Sequence, residues 1–381
     1  MTSLNRHTVA EWIAYGLFIV FVLALPLFWD DPFGLNRWAR YLVYGMLGAA
    51  IALSWGYAGI LNLGQGLFFG LGAYMTAMSL KLASWTSLQQ GSDTPVPDFM
   101  LWNAQPGAPT DLCCIVPGSW VWIPFQEQWF GVAMSVVAPV VVAGLLSWAL
   151  FRLRVSGVYV AIVTLALVLL VRLLVIDAQP ITNGFNGLTD LGYLTILGHE
   201  IDPFENDSYY LIAVSLVVVL LAMRWLVATR AGLVLQSTRD DANRARYLGY
   251  DVTAYQVFFF TVSAGVAGFA GMLFVVVSDF ASPSFMEIGF SIGMVVWAAV
   301  GGRGSLLGAC IGAIAISVLE TSASESEIFQ EAWRLIVGLA FVIVVLFLPR
   351  GLAGLARDAV DRLPLGRAGA APAGVAGKPA E

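Results

Sequence analysis

Seven charged residues lie close together in a chain that is otherwise poor in charge. Only 12% of the 381 residues are charged, yet residues 229–252, which we call the polar segment, include Arg230, Arg239, Asp240, Asp241, Arg244, Arg246 and Asp251. Strongly apolar stretches precede and follow this segment. Charged groups of both signs at this spacing can form ion pairs and hydrogen bonds with another protein. The polar segment is therefore a candidate docking surface for a soluble protein.

The order of residues in the polar segment predicts one short helix, about Arg239 to Leu248. A Ser or Thr would cap its start, acids would occupy its first turn, bases its last turns, and a Gly would follow its end, which suits both helix capping and the helix dipole. These residues are Ser237 or Thr238, Asp240 and Asp241, Arg244 and Arg246, and Gly249. An apolar stripe could enter a groove of a partner, although a solvated loop helix is the alternative. The stripe consists of Ala242, Ala245 and Leu248.

The composition places the chain in a membrane. Hydrophobic residues make up 59% of it, far more than in soluble domains, and its apolar runs have the length that a helix needs to cross a bilayer. The sequence predicts an all-α polytopic membrane protein with about ten transmembrane helices, of which the eighth and ninth are short. The spans are approximately Trp12–Phe28, Trp38–Trp55, Asn62–Ser84, Trp129–Phe151, Val155–Ile176, Tyr209–Ala228, Tyr255–Ser278, Glu287–Val300, Leu306–Glu320 and Ile328–Leu348.

The distribution of basic residues predicts the orientation. With both termini in the cytoplasm, 14 of the 19 Lys and Arg residues fall on the cytoplasmic side, because only Arg37, Arg40, Lys81, Arg172 and Arg334 lie outside. The predicted membrane domain covers residues 1–363, with a long outer loop at 85–128 and the polar segment on the inner face. Residues 364–381 are rich in Ala, Gly and Pro and are expected to form a disordered cytoplasmic tail.

Glycines concentrate in two regions that are candidates for helix bends. Small residues let membrane helices pack closely, whereas bends in the backbone are tolerated near a translocation path. Both interpretations remain open for these positions. They are Gly56, Gly59, Gly64, Gly66, Gly301, Gly302 and Gly304.

The sequence contains little that could perform catalysis. A phosphate-binding loop needs a Lys after its glycines, and neither Lys81 nor Lys378 stands in that context. The only histidines are His7 and His199, so no metal site and no nucleophile with a His base is expected. Ionisable residues within the spans lie near helix ends, which argues against an ion-driven carrier. A source of energy outside this chain is the better hypothesis.

Several motifs resemble the permeases of branched-chain amino acid and urea ABC importers. Within the polar segment, TRDDANRARYLGYDV (238–252) resembles their cytoplasmic coupling segment, and similarly placed matches are GYAGILNLGQGLFFGLGAY (56–74), SGVYVAIVTLAL (156–167), GGRGSLLGACIGA (301–313) and LPRGLAGL (348–355). The likeness extends from the second span to about Leu355. It is greatest to the urea permeases, of UrtC type, on RDDANRARYLGY, MVVWAAVGGRGS (294–305) and DFMLWN (98–103).

This resemblance implies the ten-helix fold of the ribose and vitamin B12 importer class and a place in the bacterial inner membrane. It implies a homologous second permease, two cytoplasmic ATPase subunits that bind ATP and Mg, and an outer solute-binding protein. This chain would itself hold no cofactor, would not be an enzyme, and would couple to the ATPases through Arg239, Asp240, Asp241, Arg244, Arg246, Leu248 and Gly249. A stand-alone channel or secondary carrier for small polar solutes is the alternative from another class.

Urea is small and neutral, so it needs hydrogen-bond partners and no counter-charge. Each polar candidate for its path could equally bond back to its own helix. A zwitterionic amino acid would prefer charged partners, so urea is favoured slightly over short amides or branched-chain amino acids. The candidates for the translocation path are Asn62, Gln65, Tyr74, Thr164, Ser263 and Ser291.

Overall fold

The computed structural model describes residues 3–29, 31–88, 119–325 and 351–355, and the isolated positions 97, 99, 100, 338, 339 and 342. Helices dominate these residues. In chain order they are α1 (Ser3–Ala24), α2 (Pro32–Ile51), α3 (Gln65–Leu88), α4 (Gln128–Arg152), α5 (Val158–Asp177), α6 (Gln179–Thr182), α7 (Asn206–Ala228), α8 (Arg230–Asp240), α9 (Ala242–Tyr247), α10 (Val252–Ser278), α11 (Ile288–Gly301) and α12 (Leu306–Glu325).

Within the described residues, seven helices are long and apolar enough to cross a membrane: α1, α3, α4, α5, α7, α10 and α12. Helix α11 is apolar but has only 14 residues. Helix α2 is 20 residues long and more polar, since it carries Asn36, Arg37 and Arg40. These nine helices lie where the first nine spans are predicted. The tenth predicted span lies almost wholly outside the described residues, as does the predicted tail at 364–381, and a total of ten stays a prediction.

The core of the molecule is built by α2, α3 and α10. Helix α10 packs against α2, α3 and α4, while α2 also packs against α7 and α12. Backbones approach closely where small residues meet, as at Gly72 with Gly268 and at Gly48 with Ala309. The helices differ in how deeply they are buried: 83% of the membrane-spanning part of α3 is buried, but only 22% of that of α5. Helix α5 therefore presents an apolar face outward, to lipid or to another subunit.

The expectation of an all-α fold needs a small correction, since the described residues include two short antiparallel strand pairs. Strand β1 (Leu188–Thr189) pairs with β4 (Phe280–Ala281), and β2 (Leu194–Ile196) pairs with β3 (His199–Ile201). The β2–β3 hairpin turns through Leu197 and Gly198, both with positive φ (53° and 86°), as a two-residue hairpin turn of type I′ requires. These segments lie between spans, where backbone groups outside a helix must find partners of their own.

The ends of the predicted outer loop at 85–128 pack onto the helices. Helix α3 continues to Leu88, so the loop begins later than predicted. Phe99, Trp122, Phe125 and Phe130 form a chain of ring contacts with centroids 5.0–6.0 Å apart, and the first three are buried. Most of the remaining loop lies outside the described residues. The described part shows that aromatic burial fixes the path of the chain into α4.

Hydrogen bonds between distant parts of the chain mark the two ends of the helix bundle. At one end, which we call the outer end, the Asn36 side chain donates to the carbonyls of Pro203 (2.8 Å) and Val277 (2.9 Å). At the other, which carries the polar segment and which we call the inner end, the Tyr57 hydroxyl donates to the carbonyl of Gly304 (3.3 Å). Successive long helices run alternately between these ends, as the predicted threading requires.

Candidate functional site

The polar segment folds into two short helices, so the predicted single helix from Arg239 to Leu248 is wrong. Helix α8 ends at Asp240, and α9 begins at Ala242. Between them Asp241 is extended (φ −155°, ψ 95°), and its carboxylate accepts hydrogen bonds from the backbone N–H groups of Asn243 (3.1 Å) and Arg244 (3.0 Å). Asp is a strong N-cap residue, and here it caps a new helix where the sequence interpretation had put it inside the first turn.

The predicted caps at Ser237 and Thr238 are also wrong. Their hydroxyls donate backward within α8, to the carbonyls of Leu233 (3.0 Å) and Val234 (2.7 Å). The actual cap of α8 is Thr229, whose side chain accepts from the N–H of Gly232 (3.4 Å). A Thr directly after the apolar run of α7 is a signal that sequence reasoning could have used.

The apolar side chains of the polar segment do not form the predicted stripe, because some point into the protein and others point outward. Ala245 is buried, whereas Leu248 is 72% exposed and the neighbouring Tyr247 is 91% exposed. Gly249 ends this part with φ +88°, a conformation that favours glycine. The exposed group at the inner end is thus Tyr247 with Leu248, one helical turn after the exposed Asn243 and Arg244. Large exposed aromatic and aliphatic side chains rimmed by polar groups are typical of a protein contact.

Arg239 differs from the other charged residues because it turns into the bundle. Its Nη1 donates to the carbonyl oxygen of Gly56 at 2.6 Å, while Nε and Nη2 donate to Asp240 Oδ1 at 3.1 and 3.0 Å. Its side-chain methylenes cover Gly59, where an added Cβ would lie 2.6 Å from Arg239 Cγ. The polar segment is therefore tied directly to the chain that follows α2.

The chain after α2 forms the contact point of several inner-end elements. Residues 52–57 wind as a π-helix, and residues 58–64, which we call the inner bend, are irregular and include Gly59 with φ +71°. Gly56 lies so close to the backbone carbonyl of Arg303 that a methyl group there would overlap it. The Arg303 guanidinium also lies 5.0 Å from the ring centre of Trp55, within the range of a cation–π contact.

The other glycines of the predicted bends differ in their surroundings. An added Cβ at Gly64 would lie 2.9 Å from Thr164 Cβ, and one at Gly66 would lie 2.5 Å from Ser291 Oγ. Gly301 lies against the backbone of Gly308, and the adjacent Gly302 has φ +105°. Gly304 has open space around it. Close packing thus explains the glycine at positions 56, 64, 66 and 301, whereas a positive φ explains the glycine at positions 59 and 302.

Three of the six residues predicted for the translocation path, Asn62, Gln65 and Ser263, form one buried hydrogen-bond network, and a fourth, Thr164, bonds to the backbone of Leu63 beside it. Asn62 Nδ2 donates to Gln65 Oε1 (2.7 Å), and Gln65 Nε2 donates to the carbonyl (3.0 Å) and hydroxyl (3.3 Å) of Ser263. The Ser263 hydroxyl donates to the carbonyl of Ala50 (2.6 Å), and Thr164 Oγ1 accepts from the N–H of Leu63 (3.2 Å). All four side chains are essentially inaccessible. The network joins the inner bend to α2, α5 and α10.

Tyr74 and Ser291 stand apart from this network. Both are buried, and neither the Tyr74 hydroxyl nor Ser291 Oγ has a hydrogen-bond partner within the described structure. Ser291 belongs to α11 and lies against Gly66 at the start of α3. Unpaired buried hydroxyls are uncommon and costly, so these two are the predicted path residues with unused hydrogen-bonding capacity.

A cavity of about 190 Å³ opens at the inner end beside Arg239. Its walls include Gly59 of the inner bend, Ser156 and Gly157 between α4 and α5, and Gln256 of α10. The predicted coupling residue and the predicted bend thus share one polar cavity.

At the outer end a buried lysine fixes the segment after α6. Lys81 Nζ donates to the carbonyls of Thr189 (3.0 Å) and Asp190 (2.8 Å). Nearby Asp279 accepts from the N–H of Leu191 (3.1 Å), and its partial burial raises the pKa of its carboxyl above the ordinary value.

The structure also brings His199 close to Glu205 and Asp207, a group that sequence spacing did not reveal. All three are exposed, and a hydrogen bond of 2.7 Å joins His199 Nε2 and Asp207 Oδ2.

Comparison with known proteins shows the family. A family model described as "Branched-chain amino acid transport system / permease component" matches residues 35–346. The chain belongs to this permease family. It is 29% identical over 371 residues to the high-affinity branched-chain amino acid transport system permease protein LivM of Escherichia coli (strain K12), and 28% identical to LivM of Salmonella typhimurium. Each alignment covers 90% of this chain and 75% of the relative.

A second group of relatives is more distant. The permease protein LivH of Escherichia coli (strain K12) is 24% identical over 240 residues, which are 59% of this chain and 75% of LivH. No solved structure matches the chain. The apolar helices and the family membership together identify the chain as a multi-pass ABC permease of the LivM type in the bacterial inner membrane. Members of this family are transport subunits and not enzymes.

Proposed function

We propose that this permease is the membrane subunit of an ATP-driven importer, that it forms the translocation path together with a homologous permease, and that urea is the solute. The link from Arg239 to Gly56 carries the first part of this proposal. It connects an exposed surface that suits a soluble partner to the π-helix at 52–57, which leads into the inner bend where the buried polar network begins. Movement of the polar segment would therefore act directly on the backbone between α2 and α3.

The proposed partners are two cytoplasmic ATPase subunits, which would bind ATP and Mg, a second permease and an outer solute-binding protein. The polar segment offers the ATPases an exposed apolar pair, Tyr247 and Leu248, beside exposed charges. Similarity to both LivM and LivH, each named a permease of a branched-chain amino acid transport system, supports pairing of two related chains. The outward apolar face of α5 offers an area for such pairing. Both termini are proposed to lie in the cytoplasm with the polar segment.

The choice of urea rests on the chemistry of the described spans. Apart from Lys81, the fully buried polar side chains of the described residues are amides and hydroxyls, and Lys81, Arg172 and Arg224 lie near helix ends and bond to backbone carbonyls or carboxylates. A neutral solute with amide-like donors and a carbonyl acceptor can exchange hydrogen bonds with such groups. Tyr74 and Ser291 are the candidates to contact it, because their hydroxyls have no partner within the described structure.

Branched-chain amino acids are the second candidate solute. The names of the LivM relatives, which align with 90% of this chain, favour them. A zwitterion would then need charged partners, which could come from Arg40 of α2, whose buried Nε has no hydrogen-bond partner in the described structure, from the second permease or from the solute-binding protein.

Two measurements separate these possibilities. The purified solute-binding partner should bind labelled urea in preference to acetamide and leucine, and the complete complex in proteoliposomes should accumulate urea only when ATP is inside. Binding and uptake of leucine without urea would replace urea by an amino acid and leave the coupling mechanism intact. Passage of urea through vesicles that contain this chain alone, without ATP, would identify a channel and refute the proposal.

A further inference from the structure

A groove of about 1000 Å³ runs along the outside of the bundle between α4 and α10 and ends among charged residues at the inner end. Its walls include Val141, Leu145 and Phe258, which are 51%, 66% and 48% exposed. From Val140 to Arg152 the groove follows α4 over twelve residue steps, or about 18 Å at the rise of an α-helix. Its apolar part, from Val140 to Trp148, is about 12 Å long, which is close to the hydrocarbon depth of one bilayer leaflet, about 15 Å.

Three arginines from separate elements converge at the inner end of this groove. Arg152 belongs to the last turn of α4, Arg154 to the turn that follows, and Arg246 to α9 of the polar segment. No described carboxylate lies within ion-pair distance of any of them, and the bond of Arg246 to Asn243 Oδ1 (3.2 Å) involves a neutral group. Asp251 is also present, but its carboxylate caps α10 by accepting from the N–H of Ala254 (3.2 Å). The end of the groove therefore carries net positive charge.

An aromatic residue marks the level of the membrane surface at the same place. The Arg152 guanidinium lies 5.0 Å from the ring centre of Trp148, which is about half exposed and lines the groove. Trp is enriched at the level of lipid headgroups. The arginines thus lie where headgroup phosphates of the cytoplasmic leaflet are expected, next to the end of the apolar part of the groove.

We propose that this groove binds one anionic phospholipid of the cytoplasmic leaflet, with an acyl chain between α4 and α10 and its phosphate between Arg152, Arg154 and Arg246. Charge complementarity selects this occupant, because three arginines that lack carboxylate partners among the described residues need an anion, and the apolar walls need a hydrocarbon chain. The bound headgroup would join α9 to the end of α4. Lipid composition would then influence how firmly the polar segment is held. Binding of the lipid does not depend on which solute the transporter carries.

The test uses the complete transporter complex, delipidated in detergent and titrated with phosphatidylglycerol or with phosphatidylcholine, with bound lipid counted by native mass spectrometry. The expected result is one tightly bound phosphatidylglycerol that phosphatidylcholine does not replace. Each of Arg152→Gln, Arg154→Gln and Arg246→Gln should weaken binding roughly fivefold, the contribution of one basic residue near an anionic membrane surface. Arg230→Gln is the matched control, because it removes an exposed inner-end arginine that does not line the groove.

Equal binding of the two lipids, or equal effects of Arg230→Gln and Arg246→Gln, would overturn the proposal. A photo-crosslinking residue at Leu145 gives an independent measurement, since it should attach to phospholipid. Attachment to the second permease would show that a subunit covers the groove, which also refutes lipid binding there. Competition by glycerol phosphate at concentrations comparable to those of the lipid would show an anion site without a role for the acyl chain, and would refute it too.

Discussion

Replacing Arg239 by glutamine should disconnect the polar segment from the inner bend while both remain folded. Arg239 makes two kinds of contact, a charge-assisted hydrogen bond of 2.6 Å to the Gly56 carbonyl and an ion pair with Asp240. Hydrogen bonds to charged groups contribute about 1.5–3 kcal/mol. The ion pair is largely exposed, and such pairs contribute about 0–1 kcal/mol. Most of the effect of the substitution should therefore come from the bond to Gly56.

A loss of about 1.5–3 kcal/mol changes an equilibrium roughly 10- to 150-fold. If the bond to Gly56 transmits movement, Arg239→Gln should lower the stimulation of ATPase activity by the solute-loaded binding protein at least tenfold. The basal ATPase rate of the complex should stay within about twofold, because the partner subunits hydrolyse the ATP. The assay compares ATPase rates of the complex in nanodiscs with and without the loaded binding protein.

Two variants of the same helix serve as controls for this experiment. Asp240→Asn removes the ion pair and keeps the bond to Gly56, so stimulation should fall less than threefold. Arg230→Gln removes an exposed charge from the first residue of α8 and should change nothing. Unchanged stimulation in a well-folded Arg239→Gln complex would refute the idea that this bond transmits movement. A loss with Asp240→Asn as large as with Arg239→Gln would assign the effect to the ion pair instead.

Three further pairs of variants test other parts of the site. Asp241→Ala should destabilise α9 by about 1 kcal/mol, because it removes the N-cap, and should reduce stimulated ATPase activity, whereas Asp241→Asn should retain both. Gly56→Ala should prevent assembly of a stable complex, measured by size-exclusion chromatography, because its methyl group would overlap a backbone carbonyl, while Gly304→Ala has open space and should assemble normally. Ser263→Ala removes a hydroxyl with two partners in the buried network and should lower the melting temperature by several degrees, whereas Ser291→Ala removes an unpaired hydroxyl and should leave the melting temperature unchanged or slightly raised.

Membrane helices were the part of this fold that sequence patterns predicted well, because hydrocarbon requires long apolar helices and leaves few alternatives. The predicted start of the seventh span at Tyr255 lies within one turn of the observed start of α10 at Val252. The short strands escaped prediction for the opposite reason. Segments such as Leu194–Ile201 lie outside the spans, where turn residues and local pairing decide the structure and periodicity gives little information.

The polar segment shows why the candidate site was predicted only in part. Sequence reasoning identified its charged residues and Gly249 but placed Asp241 inside a helix, because acids in a first turn and an acid at an N-cap give the same sequence signal. The bond between Arg239 and Gly56 joins residues 183 positions apart, and nothing in local spacing indicates it. The buried network was anticipated as a set of polar residues, but the bonds among Asn62, Gln65 and Ser263, and the bond of Thr164 to the backbone of Leu63, depend on how α3, α5 and α10 pack.

Two routes connect the polar segment to the buried network, and together they limit how the bundle can move. One is covalent, since α10 begins directly after the segment and reaches Ser263 after about 17 Å of helix. The other passes from Arg239 through Gly56 and the inner bend to Gln65. The bonds from Gln65 to Ser263 close the ring. Sliding α10 along α3 would break these buried bonds, and each unpaired group would cost about 1–3 kcal/mol. A push on the polar segment should therefore move α3 and α10 as one rigid unit. A translocation path must then open where this pair of helices contacts other helices, and not between α3 and α10.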